Sequence, residues 1–111
     1  MTVSFSGTLE NVVIAQGGTS TRWIYGPYEY DDANAIVIQS PAALDAGTYS
    51  IEVSSDGVTG ATLTDAGGDL SVPAAGDARQ YTEMLGARYF RIVGPTAAAA
   101  RTFRVTKQWT I

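Results

Sequence analysis

The sequence predicts an all-β protein, a single antiparallel β-sandwich or jelly roll of about eight short strands over residues 1–111, with at most one short helical turn. Three observations predict it. Apolar and polar residues alternate with period two in one segment after another, as in strands with one buried face. Gly, Ser, Thr and Asp punctuate these segments at near-regular spacing, as in sandwiches and barrels. Only one stretch carries helix-terminus signals. A chain of 111 residues has the size of one domain and buries roughly two thirds of its unfolded surface, enough for stability without disulfides or metal.

At the N-terminus, Val3, Phe5 and Leu9 alternate with Thr2, Ser4, Ser6, Thr8 and Glu10. The phase then flips to Val12 and Ile14, which predicts a bulge or turn near Asn11. Residues 16–20, Gln-Gly-Gly-Thr-Ser, form a loop before a strand over 21–25. The apolar run from Ala35 to Ile38 predicts a strand buried on both faces. Tyr49, Ile51 and Val53 alternate with Ser50, Glu52 and Ser54, and Ser55-Asp56-Gly57 supplies turn chemistry. Weaker strands follow at 61–63 and 70–72, split by Ala66-Gly67-Gly68. Residues 77–85 are the helical candidate: Asp77 would cap, Gln80 sits at the capping-box position, and Tyr81, Met84 and Leu85 fall on one side. Strands over 89–93 and 103–111 close the chain. In the last, Phe103, Val105, Trp109 and Ile111 share a face with Lys107, whose stem either snorkels to the rim or faces a partner. Arg104 lies on the opposite face. Arg91 shares parity with Tyr89 and Val93 against Phe90 and Ile92, and alternation leaves open which of those two faces is buried.

Composition points to holding rather than catalysing. The chain has no His and no Cys, so the commonest base, thiolate and zinc-ligand roles are vacant. Carboxylate pairs remain a formal possibility for acid–base work, but most acids sit beside Gly or Ser in predicted loops. No catalytic residue, cofactor or metal is expected. Glu29, Asp31, Asp32 and Asn34 form the densest oxygen-ligand cluster: it could hold calcium, but it lacks the spaced alternation of an EF-hand loop, and a solvated loop is the favoured reading. Gly17-Gly18-Thr19-Ser20 lacks the Lys and the glycine spacing of a phosphate loop. No basic leader and no long apolar run follows Met1, so neither a secretory signal nor a membrane span is expected.

A net charge of −4 argues against general nucleic-acid binding, which needs clustered cations. The distribution says more than the sum. All eleven acids lie in residues 1–87 with only Arg22 and Arg79 for company, whereas residues 88–111 hold Arg88, Arg91, Arg101, Arg104 and Lys107 and no acid. Either the basic C-terminal strands pair with acidic neighbours inside one sheet, or the basic edge of one copy meets the acidic face of another.

Trp23, Tyr25, Tyr28 and Tyr30 fall within eight residues around Gly26-Pro27. Such rings suit sugar stacking and protein interfaces alike. Trp23 and Tyr25 share strand parity and are expected in the core or half-buried, with Tyr28 and Tyr30 exposed. The candidate interface is therefore Trp23, Tyr25, Tyr28 and Tyr30, the cations Arg88, Arg91, Arg101, Arg104 and Lys107, and the terminal residues Thr2 to Phe5.

Two stretches resemble known families. Leu44-Asp45-Ala46-Gly47-Thr48-Tyr49-Ser50-Ile51 is similar to the start of strand F in immunoglobulin domains, where a Tyr forms a corner; here Ile51 stands where those domains carry Cys. More broadly, residues 35–107 resemble small β-sandwich accessory proteins of tailed-phage virions. The likeness rests on Ile36-Val37-Ile38-Gln39-Ser40-Pro41-Ala42-Ala43-Leu44, Ile51-Glu52-Val53-Ser54-Ser55-Asp56-Gly57, Ala87-Arg88-Tyr89-Phe90-Arg91-Ile92 and Arg101-Thr102-Phe103-Arg104-Val105. It implies a non-enzymatic virion protein, a head decoration or cement protein that binds and stabilises the capsid shell, with other virion proteins as partners and a homo-oligomer, a trimer first, as its state. A tail, neck or fibre component is the alternative within the virion. A carbohydrate-binding sandwich, with a glycan on Tyr28 and Tyr30, is the alternative outside it.

Overall fold

A computed structural model describes residues 6–26, 35–84 and 86–109. Among the described residues it contains ten strands and no helix. One four-stranded sheet is ordered β1 (Ser6–Ile14), β10 (Arg101–Trp109), β3 (Ala35–Gln39), β8 (Ala78–Tyr81). The other is ordered β2 (Ile24–Tyr25), β9 (Tyr89–Val93), β4 (Ser50–Ser54), β5 (Ala61–Thr62). A small hairpin, β6 (Thr64–Asp65) and β7 (Gly68–Asp69), stands apart from both. Every pairing is antiparallel.

The order has a simple logic. First pairs with last (β1·β10), second with second-last (β2·β9), third with third-last (β3·β8), and β4 with β5. This is a long antiparallel ribbon rolled so that successive pairs fall alternately into two sheets, which is the jelly-roll form of the sandwich. The core lies between the sheets. Val12, Ile14, Ile36, Ile38, Tyr81, Phe103 and Val105 come from one side, and Ile24, Ile51, Phe90 and Ile92 from the other, each at most 1 % exposed.

Inward and outward positions follow parity, and here several expectations change. β1 runs against β10 in one unbroken register from Ser6↔Trp109 to Ile14↔Arg101, so there is no bulge at Asn11. The phase of the strand is that of Val12 and Ile14, and Leu9 instead faces outward, 49 % exposed. The sequence phase misled because the strand has apolar residues on both faces.

The helical candidate is also a strand for half its length. Residues 78–81 pair with β3, placing Tyr81 opposite Ile36. Tyr81 and Met84 are both fully buried, and Leu85 lies outside the described residues. The capping pattern is overridden because the open edge of β3 offers these backbone groups a full ladder, against a helix too short to hold itself.

β3 is buried on both faces only at its start: Ile36 and Ile38 point inward and Ala35 on the other face is 2 % exposed, while Val37 on that face is half-buried and Gln39 exposed. The strand expected over 70–72 is absent. Leu70 still enters the core, held where its carbonyl accepts from Ile51 N–H at 3.2 Å and its N–H donates to Leu63 at 3.0 Å. On β9, Phe90 and Ile92 are the buried pair, so Tyr89, Arg91 and Val93 face outward.

The corner resembling strand F is built as one. Asp45 N–H donates to the Tyr49 hydroxyl at 3.0 Å, and the Tyr49 ring meets Phe103 edge-on at 6.2 Å. Gly94 lies so close to this ring that an added Cβ would come within 2.4 Å of the Tyr49 ring edge.

Candidate functional surface

The candidate residues distribute unequally over the two sheets and the ends of the sandwich. The outer face of the β2-β9-β4-β5 sheet carries the aromatics. The register sets Tyr25 beside Tyr89 and Tyr89 beside Ser54, with Arg91 beside Glu52 in the next row. The Tyr25 and Tyr89 rings lie 5.2 Å apart, tilted by 37°. Arg91 lays its guanidinium 4.3 Å over the Trp23 ring and bonds Glu52 through Nε at 2.8 Å and through its terminal nitrogen at 2.7 Å. A ring, a cation and a carboxylate are thus locked into one rigid group.

The loop between β4 and β5 borders this group. Asp56 Oδ1 accepts from Val58 N–H and Thr59 N–H, both at 2.8 Å, and from the Ser54 hydroxyl at 2.9 Å. Those donors, Thr59 first, hold the Asp56 carboxyl below its ordinary value. Gly60 lies against the Trp23 ring edge and Glu52, so closely that a Cβ would come within 2.7 Å of the ring. A cleft of about 710 Å³ opens between this loop and the one joining β8 to β9, lined by Val53, Ala61, Leu63, Ala87, Glu83 and Arg88 among others.

The cations expected to act together are dispersed. Arg91 is on the aromatic face. Arg88 is exposed in the loop before β9 and is engaged with a neighbour. Arg101 sits at the opposite end, in a two-point pair with Asp45 at 3.0 Å for each contact, its side chain only 16 % exposed. The Arg101 bond, then the Ala98 N–H, hold the Asp45 carboxyl below its ordinary value. Lys107 is 6 % exposed and lies 3.7 Å from Glu10, which also bonds Arg22 at 2.7 Å. Neither Arg101 nor Lys107 is therefore presented to a partner. Arg104 alone of the set faces outward on the β1-β10-β3-β8 sheet, exposed and without a charged partner among the described residues.

The charge split between the two parts of the sequence is thus largely consumed inside one molecule: Arg91 with Glu52, Arg101 with Asp45, Lys107 with Glu10. Tyr25 is more exposed than its parity suggested, at 47 %, on a two-residue edge strand. Tyr89 belongs to the surface although nothing in the sequence singled it out. Its parity with Arg91 carried the signal, but only once Phe90 and Ile92 were known to point inward. Tyr28, Tyr30, residues Thr2 to Phe5 and the acids Glu29, Asp31 and Asp32 lie outside the described residues. Among the described residues no group of three or more carboxylates is gathered to hold a metal ion, and no helix is long and apolar enough to cross a membrane.

Comparison with known proteins identifies no relative: no family model, no curated protein and no solved structure matches this chain.

Proposed function

We propose that this protein is a non-enzymatic structural component of a tailed-phage virion, a decoration or cement protein that docks on the head shell through the outer face of its β2-β9-β4-β5 sheet. The observation that carries the docking surface is the row of Trp23, Tyr25 and Tyr89, with Tyr25 exposed and Trp23 and Tyr89 half-buried, in which Arg91 and Glu52 fix the Trp23 ring and Tyr89 packs against Tyr25. Tyr, Trp and Arg are the residues that dominate the binding energy of protein interfaces, and a rigid group loses little entropy on docking. The virion setting comes from the resemblance over residues 35–107.

The same geometry disfavours a glycan on this face. Sugar stacking needs an open ring face, and the Trp23 face that Arg91 covers is taken.

Quantitative mass spectrometry of purified particles of the encoding phage tests the proposal. A fixed ratio to the major shell protein is expected, and its retention on empty heads separates a head position from a tail position. Particles that lack the protein would end the proposal.

A further inference from the structure

The four edges of the two four-stranded sheets are not alike. β2 and β5 are two residues long, and β8 is four residues long with the exposed cation Arg79. β1 is nine residues long and pairs on one side only, with β10. Among the described residues its other side makes no backbone hydrogen bond. Edges are ordinarily guarded by brevity, charge, proline or a bulge. β1 has no proline and no bulge, and its outward row is Leu9, Asn11 and Val13, with Leu9 49 % and Val13 42 % exposed. Its one charge, Glu10, is turned inward and held by Arg22 at 2.7 Å and Lys107 at 3.7 Å.

We propose that β1 is the seam of a homodimer, pairing antiparallel with β1 of a second copy about a twofold axis at Asn11. The inference is independent of the virion reading. The outward row is self-complementary about Asn11: antiparallel pairing sets Leu9 against Val13 of the second copy and Val13 against its Leu9, and brings the two Asn11 side chains together. A carboxamide both donates and accepts, so Asn11 satisfies its own copy. A twofold interface demands this kind of self-matching.

Charge agrees as well. Each edge carries the Glu10 carboxylate already paired with the Arg22 guanidinium, so two edges meet as two compensated pairs rather than as like charges. The seam would join two four-stranded sheets into one and extend the outer face on which Leu9, Val37, Gln39, Ala78, Arg104 and Thr106 line a shallow depression of about 380 Å³. β1 favours this twofold pair over the trimer that the family resemblance implies.

The chain has no cysteine, which makes a cross-linking test clean. Residues facing each other across an antiparallel pair lie roughly 4.5–5.5 Å apart at Cα, within disulfide range. Asn11→Cys is therefore expected to form a covalent dimer under mild oxidation, and Val13→Cys, whose neighbour is Leu9, is expected not to. The unmodified protein should show twice its 11.7 kDa chain mass by sedimentation. The double variant Leu9→Lys/Val13→Lys should raise the dimer dissociation constant about tenfold or more, with unchanged circular dichroism showing that it folds. A monomer at every concentration would overturn the proposal. So would a dimer indifferent to the two lysines, or cross-linking as efficient at position 13 as at position 11.

Discussion

Asp45 donates its N–H to the Tyr49 hydroxyl while its carboxylate accepts from the Ala98 N–H and the Arg101 guanidinium, so one residue ties the loop before β4 to the start of β10. Tyr49→Phe removes the acceptor and leaves the partly buried Asp45 N–H without it, which should cost about 1–3 kcal/mol in denaturant unfolding. Acid should act through the same residue. A carboxyl held below its ordinary value stabilises the fold above that value, and the contribution is lost as pH falls through the folded-state one. Asp45 and Asp56 both lie in that direction from 3.8. Unfolding free energy should therefore decline below about pH 4, and Asp45→Asn should flatten that decline.

At the alkaline side the sign reverses. Burial pushes the Tyr81 phenol up to about 12, and its hydroxyl donates to the Ser71 carbonyl. Stability should hold to about pH 10 and fall as pH rises towards 12, a slope that Tyr81→Phe should abolish. At this scale much was legible. The spacing from Leu44 to Tyr49 announced the corner, because a corner is a local device. The fate of Lys107 was not, because its partner Glu10 is nearly a hundred residues distant and only the β1·β10 register brings the two together.

Strand existence was well marked where period two was clean, as in β4, β9 and β10, and poorly marked where an edge decided the matter. β8 has helix-start chemistry and still pairs with β3. β1 has apolar residues on both faces, and alternation alone placed a break where none exists. The same edge effect explains β2, whose two residues hold Tyr25 outward. Its place beside the loop before β9 depends on Gly26, whose N–H donates to the Arg88 carbonyl at 2.8 Å. A Cβ at Gly26 would fall into the Ala87 carbonyl, backbone that has no soft way to move. Gly26→Ala should destabilise the protein by about 1–3 kcal/mol and should broaden the amide resonances of Tyr25 and Tyr89 together if that loop positions the aromatic pair.

For the whole molecule, the all-β sandwich was readable from periodicity and punctuation, while its rolled order was not, since pairing first with last is a long-range choice that no local pattern records. The asymmetry of charge was visible too, but its meaning needed the fold. Most of the cations of the C-terminal strands are answered by acids of the same copy, and the outer face of the β2-β9-β4-β5 sheet, aromatic and charge-compensated, is the docking surface under the function proposed above. The most direct test of the proposed head-docking role is binding to phage heads that lack this protein, titrated with the wild type and with Tyr25→Ala/Tyr89→Ala, and with Thr102→Ala on the opposite sheet as control. The double variant should keep its melting temperature within a few degrees and lose binding by at least about tenfold, while the control binds as the wild type does. Equal occupancy by the double variant and the wild type would contradict the assignment of this face as the docking surface.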